Sequence, residues 1–172
     1  VASLAAEKAG AAAVISVAGT GRPVDVVLRE QLHDRLPAPM LQRANQLIDE
    51  IKAGKTDNDV PGELEVVFRP SVQPYLISLF RQDPAAAFGN LRVPALIIQG
   101  KHDIQVGVGD AQLLKEAKPD ARLALIDGMN HVLRIVPMDM DRQLESYKNP
   151  KLPLATEVST QILHFIGALP DA

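Results

Sequence analysis

The sequence predicts an α/β fold built on a parallel β-sheet. Three short segments have the character of strands: Ala12 to Ala18, Ala95 to Gln99, and Arg122–Ile126. The first two are continuous apolar runs, which is typical of parallel strands buried on both faces. Residues 100–121 are enough for a loop and one crossover helix, so the second and third strands are expected to be neighbours in a right-handed βαβ unit.

The chain opens in an alanine-rich stretch, VASLAAEKAG, whose composition favours a helix. Gly10 is the expected C-terminal stop of this helix. No capping residue precedes it. We therefore expect Val1 to stand inside a longer polypeptide, or in one of two associated chains.

The segment from residue 19 to residue 94 is too long for a single crossover helix and contains helices of its own. The stretch MLQRANQLIDEIKAG has one apolar stripe and stops at Gly54. The members of this stripe are Met40, Leu41, Ala44, Leu47, Ile48 and Ile51. In SVQPYLISLF, a second stripe consists of Val72, Tyr75, Leu76, Leu79 and Phe80. Asp83 and Pro84 indicate the cap and first turn of a further helix.

We predict that residues 22–90 form a helical lid inserted over the C-terminal edge of the sheet. The alternative is that these helices belong to the core. Asp110 is placed to be the N-cap of the later crossover helix. A last helix, from about Ala155 to Leu169, is expected to pack on the sheet. Its apolar face consists of Val158, Ile162, Phe165, Ile166 and Leu169.

The composition excludes several classes of function. The 172 residues carry a formal net charge of −3, which gives no electrostatic reason to expect nucleic acid or a membrane as partner. There are no cysteines, so disulfides, thiolate catalysis and Cys-based zinc sites are excluded, and a reducing, cytoplasmic location is expected. The four histidines lack metal-ligand spacing, and we expect neither a metal nor another cofactor.

Two polar residues follow neighbouring predicted strands. Asp103 comes after the second strand, in GKHDIQV, and His131 comes after the third, in DGMNHVL. Working residues of open α/β sheets lie in such loops. An aspartate facing a histidine there would hold the imidazole in one tautomer, and His131 would then serve as a general base. The alternatives are that Asp103 closes a turn and that His131 is an ordinary loop residue, while His102 is expected to face solvent.

The two motifs resemble the C-terminal half of the α/β-hydrolase fold. The matching pieces are the G-x-x-D-x-x-V from Gly100 to Val106 and the G-x-x-H from Gly128 to His131. The resemblance implies a serine hydrolase of the esterase type, acting on a small-molecule carboxylic ester through a Ser-His-Asp triad. It also implies that residues 1–172 are a partial α/β-hydrolase domain.

The nucleophile elbow of that family, G-x-S-x-G, is missing from the sequence. The context is unsuitable at Ser3, Ser16, Ser71 and Ser78. The resemblance therefore places the serine upstream of residue 1, and the chain alone is expected to be inactive. An aspartate at that turn would instead point to dehalogenase or epoxide chemistry.

Ile104, Val106 and Met129 are candidates for lining an acyl or alkyl pocket, although ordinary packing explains them equally well. Two rival functions stay open. One is a non-catalytic module kept for binding or assembly. The other is a nucleotide-binding protein that uses the AGTGRP loop, which lacks the third glycine of a dinucleotide fingerprint and the Gly-Lys-Ser/Thr of a P-loop. The apolar strand from Ala12 to Ala18 is expected to pair with an N-terminal half of the same fold, or to self-associate.

Overall fold

The computed structural model describes residues 2–169 and divides into two compact units. The first unit combines the residues up to Gly21 with those from Pro84 onward, and the second is Arg22–Asp83. Val1, on which the expectation of a longer polypeptide rests, lies outside the described residues.

The first unit contains a parallel sheet of three strands, so the predicted fold class is confirmed. The strands are β1 (Val14–Val17), β2 (Ala95–Gly100) and β3 (Arg122–Ile126), and β2 lies between the other two. Both pairings are parallel. Gly100 pairs with Ile126, so β2 and β3 end at the same level and their following loops start side by side.

Residues 2–169 form nine helices. They are α1 (Ala2–Ala5), α2 (Val24–His33), α3 (Ala38–Lys52), α4 (Glu65–Phe68), α5 (Gln73–Phe80), α6 (Pro84–Gly89), α7 (Val108–Ala117), α8 (Met140–Lys148) and α9 (Thr156–Ile166). Short 3₁₀ turns at Gly62–Leu64 and Pro70–Val72 precede α4 and α5. Within the described ranges, every helix is too short or too polar to cross a bilayer.

Strand β2 is buried along its whole length because both of its faces are covered. Successive side chains of a strand point to opposite faces. Ala95 and Ile97 pack in a cluster with Phe88 of α6 and Leu114 of α7. The alternate residues of β2 pack in a different cluster with α9; its buried members are Leu96, Ile98, Ile126, Met129, Ala155, Val158 and Phe165. The continuous apolar run thus reflects a strand between two helical layers.

The second unit has its own core, formed by α3, α4 and α5. As the apolar stripe predicts, α3 buries Ala44, Leu47, Ile48 and Ile51. The chain turns away after α3 at Gly54, whose φ of +83° suits glycine. Whether Arg22–Asp83 acts as a lid stays a prediction.

The apolar stripes predicted from the sequence include two residues that are exposed in the structure, and for these two the prediction is wrong. Tyr75 is 58% exposed, because α5 turns Leu76 and Phe80 inward and leaves Tyr75 on the other side. Ile166 is 53% exposed, because α9 ends there and Leu169 reaches the core cluster through the turn that follows.

Asp110 was expected to cap α7, and this prediction is wrong. The N-cap of α7 is Gly107, and Asp110 lies in the first turn with its side chain buried. Its Oδ1 accepts hydrogen bonds from Thr20 Oγ1 at 2.9 Å and from the Gly21 N–H at 3.0 Å. The carboxylate therefore fastens the loop that follows β1 to the crossover helix.

Gly100 allows the end of β2 to approach the loop that follows β3. A Cβ at this position would collide with the backbone carbonyl of Met129. We expect Gly100→Ala to lower the free energy of unfolding by roughly 1–3 kcal/mol, the usual cost of overpacking. Urea unfolding measures this change.

Gly109→Ala is the matched control. Gly109 lies in the first turn of α7, and a Cβ there meets no atom within 4 Å. Its substitution should be neutral or stabilising by up to about 1 kcal/mol, because alanine favours helix. Equal effects of the two substitutions would refute the close approach at Gly100.

Candidate active site

The structure brings Asp103 and His131 together at the carboxyl end of the sheet. Asp103 lies in the loop after β2, and His131 lies in the loop after β3, 28 residues later. The Nδ1 atom of His131 is 2.9 Å from Oδ2 of Asp103. Their catalytic role stays a prediction, but this contact is the one that such a role requires.

The Asp103 carboxylate is completely buried and receives hydrogen bonds at both oxygens. Its Oδ1 accepts from the backbone N–H groups of Gln105 at 2.8 Å and Val106 at 2.9 Å. Its Oδ2 accepts from His131 and, at 3.2 Å, from Nε2 of Gln99. Asp103 therefore closes its own turn and binds the histidine as well, so these two interpretations do not exclude each other.

These contacts decide the charge of Asp103. Burial is the largest influence on its pKa and acts to raise it. The hydrogen bonds from His131 and from the N–H groups of Val106 and Gln105 act together in the other direction, and the pKa lies below its usual value. The carboxylate is thus ionised at neutral pH.

The ionised state of Asp103 in turn fixes the tautomer of His131. An ionised carboxylate only accepts hydrogen bonds, so Nδ1 of the imidazole must carry a proton. In the neutral ring, Nε2 is then an acceptor. The His131 side chain is 29% exposed, and its one hydrogen bond within residues 2–169 is the bond to Asp103. Its Nε2 is therefore available to take a proton from a group outside these residues.

The loop that carries His131 folds back on itself. Gly128 and Leu133 have positive φ angles of +69° and +60°, and Met129 bridges to Ile135. The loop is fastened to the end of β2 by His102, whose backbone N–H donates to the Met129 carbonyl at 3.0 Å.

The ring of His102 is also engaged, which differs from the expected solvent-facing position. The side chain is half-buried, and its Nδ1 lies 2.6 Å from the carbonyl oxygen of Val136. This contact fastens the loop that carries His131 a second time. His102, in the loop after β2, thus has a structural role in holding the two loops together.

The three candidate pocket residues lie in different environments. Met129 is fully buried in the core cluster beneath α9, as the packing interpretation would have it. Val106 is buried beside the acid, with its carbonyl accepting from Gln99 Nε2 at 2.8 Å. Ile104 is half-buried. A contact between any of them and a substrate stays a prediction.

Two buried amides support the site and were missed in the sequence. Gln99 ends the apolar run of β2, is fully buried, and donates to Asp103 and to the Val106 carbonyl. A glutamine at the end of such a run is a signal that could have indicated it. Asn130 is also fully buried, but nothing in the sequence distinguishes it from an ordinary loop asparagine.

No protein-family model matches the chain. Over 131 residues it is 26% identical to Esterase EstD of Thermotoga maritima, a match that covers 74% of this chain and 31% of that protein. A hydrolase from Pseudomonas aeruginosa PA01 is similar in structure, with 16% identity over 97% of this chain and 59% of that chain, and a TM-score of 0.47. The enol-lactonase from Burkholderia xenovorans LB400 is 15% identical over 96% of this chain and 60% of that chain, with a TM-score of 0.43.

The sequence match to an esterase confirms the resemblance to α/β-hydrolases that the two motifs indicate. The chain spans about a third of the length of this curated relative, 31%, and roughly three fifths of the two structures, 59% and 60%. The comparisons therefore concern a part of each of those proteins.

Removal of His131 should raise the pKa of Asp103. His131→Ala deletes one of the hydrogen bonds that hold this pKa down, while much of the opposing burial remains. A carbon-13 NMR titration of the carboxyl group measures the change. His164→Ala is the control, because His164 lies on the exposed side of α9 and should leave the titration unaltered.

The same pair links stability to pH. Because the folded-state pKa of Asp103 lies below the unfolded value of about 3.9, ionised Asp103 stabilises the fold above that pH. This contribution disappears as the pH falls through the folded-state pKa, and it should be smaller in His131→Ala. An unchanged Asp103 titration in this variant would contradict the contact.

Proposed function

We propose that this chain is the acid-and-histidine part of an α/β-hydrolase serine hydrolase that acts on carboxylic esters. The observation that carries the proposal is the 2.9 Å contact between buried Asp103 and His131. The two residues lie in the loops after β2 and β3, neighbouring parallel strands that end at the same level. The nucleophile is a serine in a part of the complete protein that residues 1–172 do not include. The sequence similarity to an esterase supports the choice of reaction.

The geometry gives each residue a defined task in this reaction. Nε2 of His131 takes the proton of the serine hydroxyl while the serine oxygen attacks the ester carbonyl carbon. Asp103 stabilises the resulting imidazolium. The imidazolium then gives its proton to the departing alcohol oxygen as the carbon–oxygen bond breaks. In the second half, His131 takes a proton from water, which attacks the acyl-enzyme, and the proton returns to the serine as the acid leaves.

A nucleotide site in the loop after β1 is disfavoured. Phosphate loops offer unpaired backbone N–H groups to an anion. Here the Gly21 N–H and the Thr20 hydroxyl already donate to the Asp110 carboxylate, and Arg22 forms an ion pair with Glu30 at 2.7 Å. The negative charge that the loop would bind is thus supplied by the protein itself.

The complete enzyme also requires a partner for β1. Within residues 2–169, β1 pairs with β2 and occupies an edge of the sheet. Val17, at the end of β1, is 36% exposed. We propose that this edge receives a further strand from the rest of the complete protein, the alternative being self-association of two copies.

Asp103→Asn in the complete protein should lower kcat by about 10⁴, because an amide at this position favours the wrong histidine tautomer. Kinetic assays with a short-chain ester measure the loss. Asp127→Asn is the control, since Asp127 is an exposed carboxylate that directly follows β3 and pairs with Lys101. A loss below tenfold for Asp103→Asn would leave Asp103 a purely structural role.

Activity of the complete protein should increase as the pH is raised from about 5 to about 8, because only a neutral imidazole accepts a proton. The dependence of kcat/KM on pH tests this expectation. A flat profile over the same interval would rule out His131 as the general base.

A further inference from the structure

We infer that helix α8 positions the Asp103–His131 pair, binding the loop of each residue through the adjacent side chains Ser146 and Tyr147. The histidine loop is defined here as residues 127–136 and the acid loop as residues 101–107. The inference rests on the proposed function only for its effect on catalysis. The contacts themselves are independent of the reaction.

The contact with the histidine loop is made by Asn130, the residue before His131. Asn130 is fully buried, and its Nδ2 donates to Ser146 Oγ at 2.7 Å and to Gln143 Oε1 at 3.3 Å. Its Oδ1 accepts from the Arg134 N–H at 2.9 Å. Every polar atom of this amide therefore has a partner. The side chain that precedes His131 is held between its own loop and α8.

The contact with the acid loop is made by Gln105. Its Nε2 donates to the Tyr147 hydroxyl oxygen at 2.9 Å. The backbone N–H of the same residue donates to Oδ1 of Asp103 at 2.8 Å. A displacement of Tyr147 would thus act on the turn that holds the catalytic carboxylate.

The way α8 is attached supports a positioning role. A surface helix ordinarily packs through an apolar stripe. The buried residues of α8 are instead Gln143 and Ser146, both polar, while Met140 and Leu144 are 55% and 52% exposed. Ser146 Oγ also donates to the Gln143 carbonyl at 2.6 Å, and Gln143 Nε2 donates to the Pro137 carbonyl at 2.8 Å.

Apolar packing tolerates small shifts, whereas a buried polar network that is fully hydrogen-bonded specifies one arrangement. The network between α8 and Asn130 is of this second kind. Since Tyr147 follows Ser146 directly, a rigid helix holds its two contacts at a fixed separation. The helix therefore restrains the acid loop and the histidine loop relative to each other.

The experiment observes the pair directly, by proton NMR of the Nδ1–H of His131 in the complete protein labelled with nitrogen-15 at histidine. Ser146→Ala should accelerate solvent exchange of this proton about five- to tenfold, the change expected for loss of one supporting hydrogen bond. Tyr147→Phe, which removes only a hydroxyl group, should produce a smaller acceleration of the same kind. This second variant keeps the test decisive if Ser146→Ala fails to fold.

A control variant of similar stability distinguishes a positioning role of α8 from a general effect of reduced stability. Phe88→Leu creates space in the cluster between α6 and α7, on the other face of β2. Urea unfolding is used to check that Phe88→Leu and Ser146→Ala lose a similar free energy of unfolding. The inference predicts unchanged exchange of the His131 proton in Phe88→Leu.

Equal exchange in Phe88→Leu and Ser146→Ala would overturn the inference, and so would exchange at the wild-type rate in both α8 variants. Ester hydrolysis, measured on the same samples, reports separately on the proposed function. Absence of hydrolysis with altered exchange would refute the function and leave the positioning role standing.

Discussion

The buried carboxylate of Asp103 is the constraint on which the site depends. A charge without solvent is stable only if hydrogen-bond donors surround it. The protein supplies two backbone N–H groups, one buried amide and the ring of His131. The acid loop must fold tightly around the carboxylate to bring the two N–H groups to Oδ1, and the histidine loop must approach closely enough to reach Oδ2. Both loop conformations follow from one requirement.

The parallel sheet makes this arrangement possible. Strands β2 and β3 end at the paired residues Gly100 and Ile126, so two loops distant in sequence start next to each other. Gly100 lets the histidine loop lie against the end of β2, where the backbone of His102 binds Met129. Beyond the strands, helix α8 contacts both loops through polar groups. The sheet sets the approach of the loops, and the side chains that surround them set the hydrogen-bond geometry.

The sequence predicts the parts of this structure that are encoded locally. The apolar run of β2 indicates a strand buried on both faces, and the polar residues just beyond β2 and β3 indicate a site at one edge of the sheet. Contacts between distant segments leave no such pattern. Asp110 looks like a helix cap in its local sequence, yet it binds a loop 89 and 90 residues away. Tyr75 fits an apolar stripe, but the unit packs only part of that stripe. Asn130 matters through Gln143 and Ser146, 13 and 16 residues away, which only the folded chain brings near.

The proposed function requires that His131 activate a serine supplied from outside residues 1–172. Fluorophosphonate labelling of the complete protein and of its His131→Ala variant, followed by mass spectrometry of the peptides, tests it most directly. We expect one modified serine, located outside these residues, whose labelling is lost in the variant. Modification of a serine within residues 1–172, or labelling that is unaffected by the loss of His131, would contradict it.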